Sequence, residues 1–156
     1  MFLKSVKLKK DHITSFRHYP FSIPFVRLMD EIDLDAPVTF FVGENGAGKS
    51  TLLEAIADQI GFNAAGGSTQ NYQAYNVHAS ESALSDYIKL SWWPKVTNGF
   101  FLRAETYYQF ASHVDETDEN GFQAYGGKSL HHQSHGESFF SLFQHRFKGQ
   151  AIYLLD

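Results

Sequence analysis

The sequence predicts an α/β fold, on three observations. Pro37-Val38-Thr39-Phe40-Phe41-Val42 is a short β-branched and aromatic run, the pattern of a buried strand. It leads directly into the glycine-rich stretch Gly43–Ser50, after which Leu52, Leu53, Ile56, Ala57 and Ile60 recur at helical spacing. A second apolar run, Ala151-Ile152-Tyr153-Leu154-Leu155, closes the chain on Asp156.

The remaining elements follow in order. Residues 2–8 alternate apolar and polar with period two, which predicts a half-buried strand. Residues 11–24, with Pro20 and Pro24, read as a loop, and a further strand is expected near Phe25–Leu28. A helix is predicted over Lys49–Ile60 and stopped by Gly61. Residues 61–80 are rich in Gly, Ser and Asn and read as loop, with a helical turn at 80–86. Strands are expected at Tyr87–Trp93 and Phe100–Arg103, around a turn at Pro94–Gly99, and a helix at Tyr107–Val114. Residues 115–119, DETDE, read as a solvated acidic loop. An amphipathic helix is predicted over 137–148, with Phe139, Phe140, Leu142, Phe143 and Phe147 available for its buried side. There is no internal repeat and no linker, and 156 residues suit one domain spanning 1–156.

Composition narrows the function. Aromatic residues at 16% argue against disorder, and a net charge of −4 gives no general attraction to nucleic acid or anionic lipid. Lys4, Lys7, Lys9 and Lys10 crowd the N-terminus, where lysines on a solvated strand edge are the simpler reading. The chain has no cysteine, which removes thiolate chemistry and Cys-ligated zinc. With no bilayer-length apolar run and no signal-like N-terminus, a cytoplasmic protein without membrane contact is expected.

Gly43-Glu44-Asn45-Gly46-Ala47-Gly48-Lys49-Ser50 fits G-x-x-x-x-G-K-[ST], with Thr51 following. Each position has a physical reason. Glycines let the backbone curl and approach phosphate oxygens, and the curled N–H groups form an anion nest. The helix beginning at Lys49 adds its unpaired N–H groups and the positive end of its dipole. Lys49 is expected to reach the outer phosphates, and the Ser50 hydroxyl to ligate Mg2+. Such loops work with a carboxylate at the tip of a neighbouring strand that holds the metal, and Asp156 fits that place best. The cofactors predicted are ATP or ADP with Mg2+.

Ser134-His135-Gly136-Glu137-Ser138 stands 22 positions before Asp156, with a helix-like stretch between. It resembles the LSGGQ signature of ABC ATPases. Ser134 matches the Ser, Gly136 the second Gly, and Glu137 takes the place of Gln, while Gln133 and His135 depart from the Leu and the first Gly. The order of phosphate loop, signature, helix and acid-tipped strand also resembles that of soluble ABC-type ATPases of the kind labelled "AAA family". The resemblance implies a three-layer core with an antiparallel subsheet near the N-terminus. It implies Mg-dependent ATP hydrolysis coupled to dimerisation and to work on a DNA or protein partner. Ser134, Gly136 and Glu137 would then contact, in trans, nucleotide held by a second copy. Tyr19 lies where the family places an aromatic against adenine. Arg103, Glu105 and Gln109 lie where it places a Gln that senses metal and water.

By the same resemblance a catalytic Glu would follow Asp156, so the chain is expected to be a C-terminally incomplete domain. It would contain no catalytic base, and would self-associate through a nucleotide sandwich or an exposed sheet. The rival expectation is a nucleotide-binding or structural module without turnover. Other signals are weaker. His131, His132 and His135 have no acidic or Cys partner at ligand spacing, and Trp92-Trp93 reads as core plus one exposed face. Asp118-Glu119-Asn120-Gly121 matches a GTPase D-x-x-G but lacks a preceding apolar strand.

Overall fold

The computed structural model describes residues 2–63, 66–69 and 83–156. The first strand, β1 (Leu3–Leu8), lies at the centre of an antiparallel sheet, between β2 (Glu31–Asp33) and β3 (Ile88–Trp92). Strict alternation would put Leu3 on the face opposite Val6 and Leu8. The pairing with β3 shifts between Leu3 and Ser5, and all three apolar side chains are buried. An irregularity of this kind turns the strand by one residue, which is how a three-residue spacing serves one core.

The segment expected as a strand near Phe25–Leu28 is instead a helix, α1 (Pro24–Leu28). Pro24 occupies its first turn, where the fixed φ favours helix and the missing N–H costs nothing. The strand of this region comes later, at β2, and was not anticipated.

Helix α2 (Lys49–Ile60) matches its prediction, with Gly48 before it and Gly61 after it both in the left-handed region. Thr51 through Ala57 are all buried, because α2 packs among Val6, Leu8 and Ile88 of the antiparallel sheet and Phe101 and Leu154 beyond. Residues 37–42 form no strand, contrary to expectation, and Val38, Phe40 and Val42 are exposed. Among the described residues no strand flanks them, and an extended run without a ladder partner or a covering face has nothing to hold it in a sheet.

Strands β3 and β4 (Gly99–Leu102) lie in different sheets, so Pro94–Gly99 joins two sheets and does not form a hairpin. β4 pairs in parallel with β5 (Ile152–Leu155), in register Phe101↔Leu154 and Leu102↔Leu155. Alternation along this pair divides its side chains. Phe101 and Leu154 join the cluster around α2. Phe100 and Leu102 join a second cluster with Tyr107, Phe110, Ala111 and Val114 of α3 (Tyr107–Thr117) and with Leu142.

Two expectations in the second half need correction. Residues 115–117 are the last turn of α3, and the loop starts at Asp118, whose carboxylate accepts the N–H groups of Asn120 and Phe122. The final helix begins earlier and ends sooner than predicted. It is α4 (His135–Ser141), continued by a π-helical turn over Leu142–Arg146. The change of winding shifts the buried stripe, so Leu142 is buried while Phe140 and Phe143 are exposed. The predicted turn at 80–86 appears as a 3-10 turn at Ala83–Tyr87. Its first residues, and most of the loop assigned to 61–80, lie outside the described residues. No helix among the described residues is long and apolar enough to cross a membrane.

Candidate nucleotide site

The loop Gly43–Gly48 is exposed up to Gly46 and tucks in at Gly48, which is buried. Gly46 and Gly48 take φ of 81° and 97°, conformations that favour glycine. A Cβ at Gly48 would also fall 2.9 Å from Ile23 Cγ2, so the chain enters α2 against the side chains preceding and within α1. The Ala47 N–H bonds the Glu44 carbonyl, closing the loop into a turn. Lys49 curls back across it, and its ammonium donates to the carbonyls of Gly43 (2.8 Å) and Glu44 (2.9 Å). The cation predicted to meet phosphate therefore lies over the loop itself.

Ser50 stands in the first turn of α2, and its hydroxyl donates to Asp156 Oδ1 at 2.8 Å. These residues are 106 positions apart in sequence, and Asp156 is the acid that the phosphate-loop pattern around Ser50 led us to expect beside it. Asp156 is held by continuation of the β4–β5 ladder: its N–H bonds the Leu102 carbonyl at 2.9 Å, and its carbonyl accepts from Ala104 at 3.3 Å. The tip of β5 is thus fixed beside the start of α2.

Tyr19 also reaches this end of α2, with its hydroxyl 3.3 Å from Thr51 Oγ1 and its ring half exposed. Of the three residues considered for the sensing position, Arg103 is at the site. It is buried at the end of β4, with ion pairs to Glu54 Oε1 (2.9 Å), Asp156 Oδ2 (3.5 Å) and Glu105 (3.5 Å). Glu105 is exposed, and Gln109 is exposed on α3. Glu54 was not foreseen. The signal for it was available: a lone acid inside the otherwise apolar run Leu52–Ala57, four residues after Ser50 and so on the same helix face.

Ser134 to Glu137 serve a local purpose. Ser134 caps α4, accepting the Glu137 N–H at 3.4 Å and donating its hydroxyl to Glu137 Oε2 at 2.7 Å; the same carboxylate accepts the Ser134 N–H. This is a capping box. Its hydrogen bonds with Ser134 hold the Glu137 carboxyl below the usual glutamate range. A Cβ at Gly136 would meet nothing within 4 Å, so that position is open. No hydrogen bond or ion pair between described residues joins Ser134–Glu137 to the Gly43–Ser50 loop. His131 bonds Ser112 and His135 packs on Tyr107 and Phe139, and among the described residues no group of three or more His, Cys, Asp or Glu gathers as a metal site.

What converges at the start of α2 is one ammonium, the three hydroxyls of Ser50, Thr51 and Tyr19, the Asp156 carboxylate with the Arg103 guanidinium facing it, and a glycine-bent loop. Two hard oxygen ligands, Ser50 and Asp156, suit Mg2+, which takes few protein ligands and completes its shell with phosphate and water. Comparison with protein-family models matches residues 11–132 to a family described as AAA domain. Neither the curated proteins nor the solved structures compared gave a match.

Proposed function

Because the chain belongs to the AAA domain family of P-loop, nucleotide-binding α/β domains, we propose that it binds ATP with Mg2+ through Gly43–Thr51 and Asp156. The observation that carries this reading is the 2.8 Å contact between Ser50 and Asp156. It puts the two oxygens expected to share a metal at the same helix start. Bound there, Mg2+ would neutralise phosphate charge between them. Lys49 would exchange its contacts with the loop carbonyls for phosphate oxygens, and the Tyr19 ring would offer adenine an exposed face.

The ABC-type reading is part of this proposal. Two facts support a three-layer core: α2 covers one face of the β4–β5 pair, and α3 with Leu142 covers the other. In that reading the open Gly136, with Ser134 and Glu137, meets nucleotide on a second copy. On the same reading, ATP hydrolysis by the complete protein would be coupled to homodimerisation and, in turn, to a protein or DNA partner. The capping box must loosen for Ser134 to do this, since its hydroxyl is engaged with Glu137.

Calorimetry with ATP and Mg2+ tests the binding step. Wild type is expected to bind. Lys49→Ala loses a charge-assisted contact and should bind about 10- to 100-fold more weakly. Equal affinity of the two proteins would remove the phosphate-loop reading. Light scattering with and without ATP tests the dimer, and a mass independent of ATP would remove that step alone.

A further inference from the structure

Arg103 has no place in the phosphate-loop pattern, yet it sits at the centre of a closed ring of contacts. Ser50 Oγ bonds Asp156 Oδ1, Asp156 Oδ2 faces Arg103 Nε, and Arg103 Nη2 pairs with Glu54 Oε1. Ser50 and Glu54 are one turn apart on α2, so the helix itself closes the ring. Each oxygen of the Asp156 carboxylate has its own partner. The contact with Arg103 is an ion pair at 3.5 Å without a hydrogen bond; it biases the turn of the carboxylate, while the other oxygen accepts from Ser50.

Resting on the Mg-nucleotide reading above, we propose that Arg103, anchored by Glu54, is the positioning residue for the metal acid. It holds Asp156 Oδ2 so that Oδ1 is presented to Mg2+ beside Ser50. Three facts support a positioning role over a merely structural pair. The guanidinium side chain is only 9% exposed, and Glu54 only 8%, so neither moves freely in solvent. The strand ladder fixes the Asp156 backbone but not its side-chain torsions, which are restrained by the Ser50 hydrogen bond on one oxygen and by the Arg103 charge facing the other. The guanidinium also spans both carboxylates with different nitrogens, which a point charge cannot do.

Arg103 acts on metal binding in two opposing ways. Its charge lowers the pull of Asp156 on a cation, and its grip aligns the ligand oxygen. Arg103→Lys separates them, because it keeps the charge and loses the fork. The paired variant Glu54→Gln/Arg103→Gln removes both buried charges without stranding either.

The experiment is a MgCl2 titration of ADP affinity, with thermal melting as a folding control. If alignment dominates, both variants keep the wild-type affinity for ADP without metal, and their half-effective Mg2+ concentration rises about 10- to 100-fold. An Arg103→Lys titration that superimposes on wild type overturns the proposal. So does tighter Mg2+ dependence in the paired variant, since charge would then outweigh alignment. If wild type binds ADP with no response to Mg2+, the positioning role falls while nucleotide binding stands. If wild type binds no nucleotide, both fall.

A second readout uses wild type alone and holds even if the variants unfold. The Arg103 Nε–H resonance is expected to shift when MgCl2 is added to the ADP-bound protein. An unmoved resonance under saturating Mg2+ counts against the proposal.

Discussion

Glu137 shows how one side chain can be read in two ways. Its carboxylate closes the capping box with Ser134, and those hydrogen bonds favour the charged form. The folded pKa is therefore depressed, and the sign follows. The contribution is complete above the ordinary glutamate pKa and fades as pH falls through the folded value. The first turn of α4 should fray in that acid window, seen as movement of the Ser134 and Glu137 amide resonances. Glu137→Gln keeps an acceptor but no charge, and should flatten that pH response. If Glu137→Gln titrates like wild type, the carboxylate is not the group responsible. At this scale the sequence was informative where chemistry is contiguous: Gly43–Thr51 needs nothing from elsewhere to be recognised. The pair Glu54–Arg103 was hidden because its members are separated by 49 residues and meet only after β4 docks beside α2. Even so, a charged residue inside an apolar helical run marks a position that needs a buried partner.

Among elements, the parallel pair β4–β5 depends on Gly99. Its φ is 153°, and a Cβ there would fall 1.9 Å from the Ile152 carbonyl oxygen and 2.8 Å from Phe62. Gly99→Ala should cost about 2–4 kcal/mol by strain and overpacking together. Because β5 carries Asp156, this variant should also weaken the Mg2+ response of nucleotide binding. Chemical denaturation tests the first effect, and a melt indistinguishable from wild type would show that the strand start can shift. The elements legible in advance were those whose signals are local. Helix α2 has its periodicity and both flanking glycines within its own sequence. Residues 37–42 have equally good strand composition, but a strand is made by its neighbours, and none is present among the described residues. Phe25–Leu28 looked like a strand by composition, and Pro24 at the helix start decided otherwise. Residues 142–146 defeated a 3.6-residue reading because the winding widens there.

Across the whole molecule, two apolar clusters meet on opposite faces of the β4–β5 pair, and the candidate site lies where the pair's ends reach α2. Outside both clusters stand Val38, Phe40 and Val42, at 65%, 83% and 90% exposure. Large apolar side chains exposed in one segment are of the kind that draws dyes and other chains. Phe40→Ser/Val42→Ser should reduce hydrophobic-dye binding and self-association without lowering the melting temperature. A lower melting temperature would mean that these side chains are buried in solution.

The contact between Ser50 and Asp156 also sets a clock. A polypeptide grows at about 5–20 residues per second, so Asp156 is made roughly 5–20 s after Ser50. For that interval the loop and α2 can exist, but the Ser50–Asp156 pair cannot. On the proposed Mg2+ site, nucleotide capture that needs Asp156 would await β5 laid beside β4, so bound nucleotide would report that this strand pair has formed.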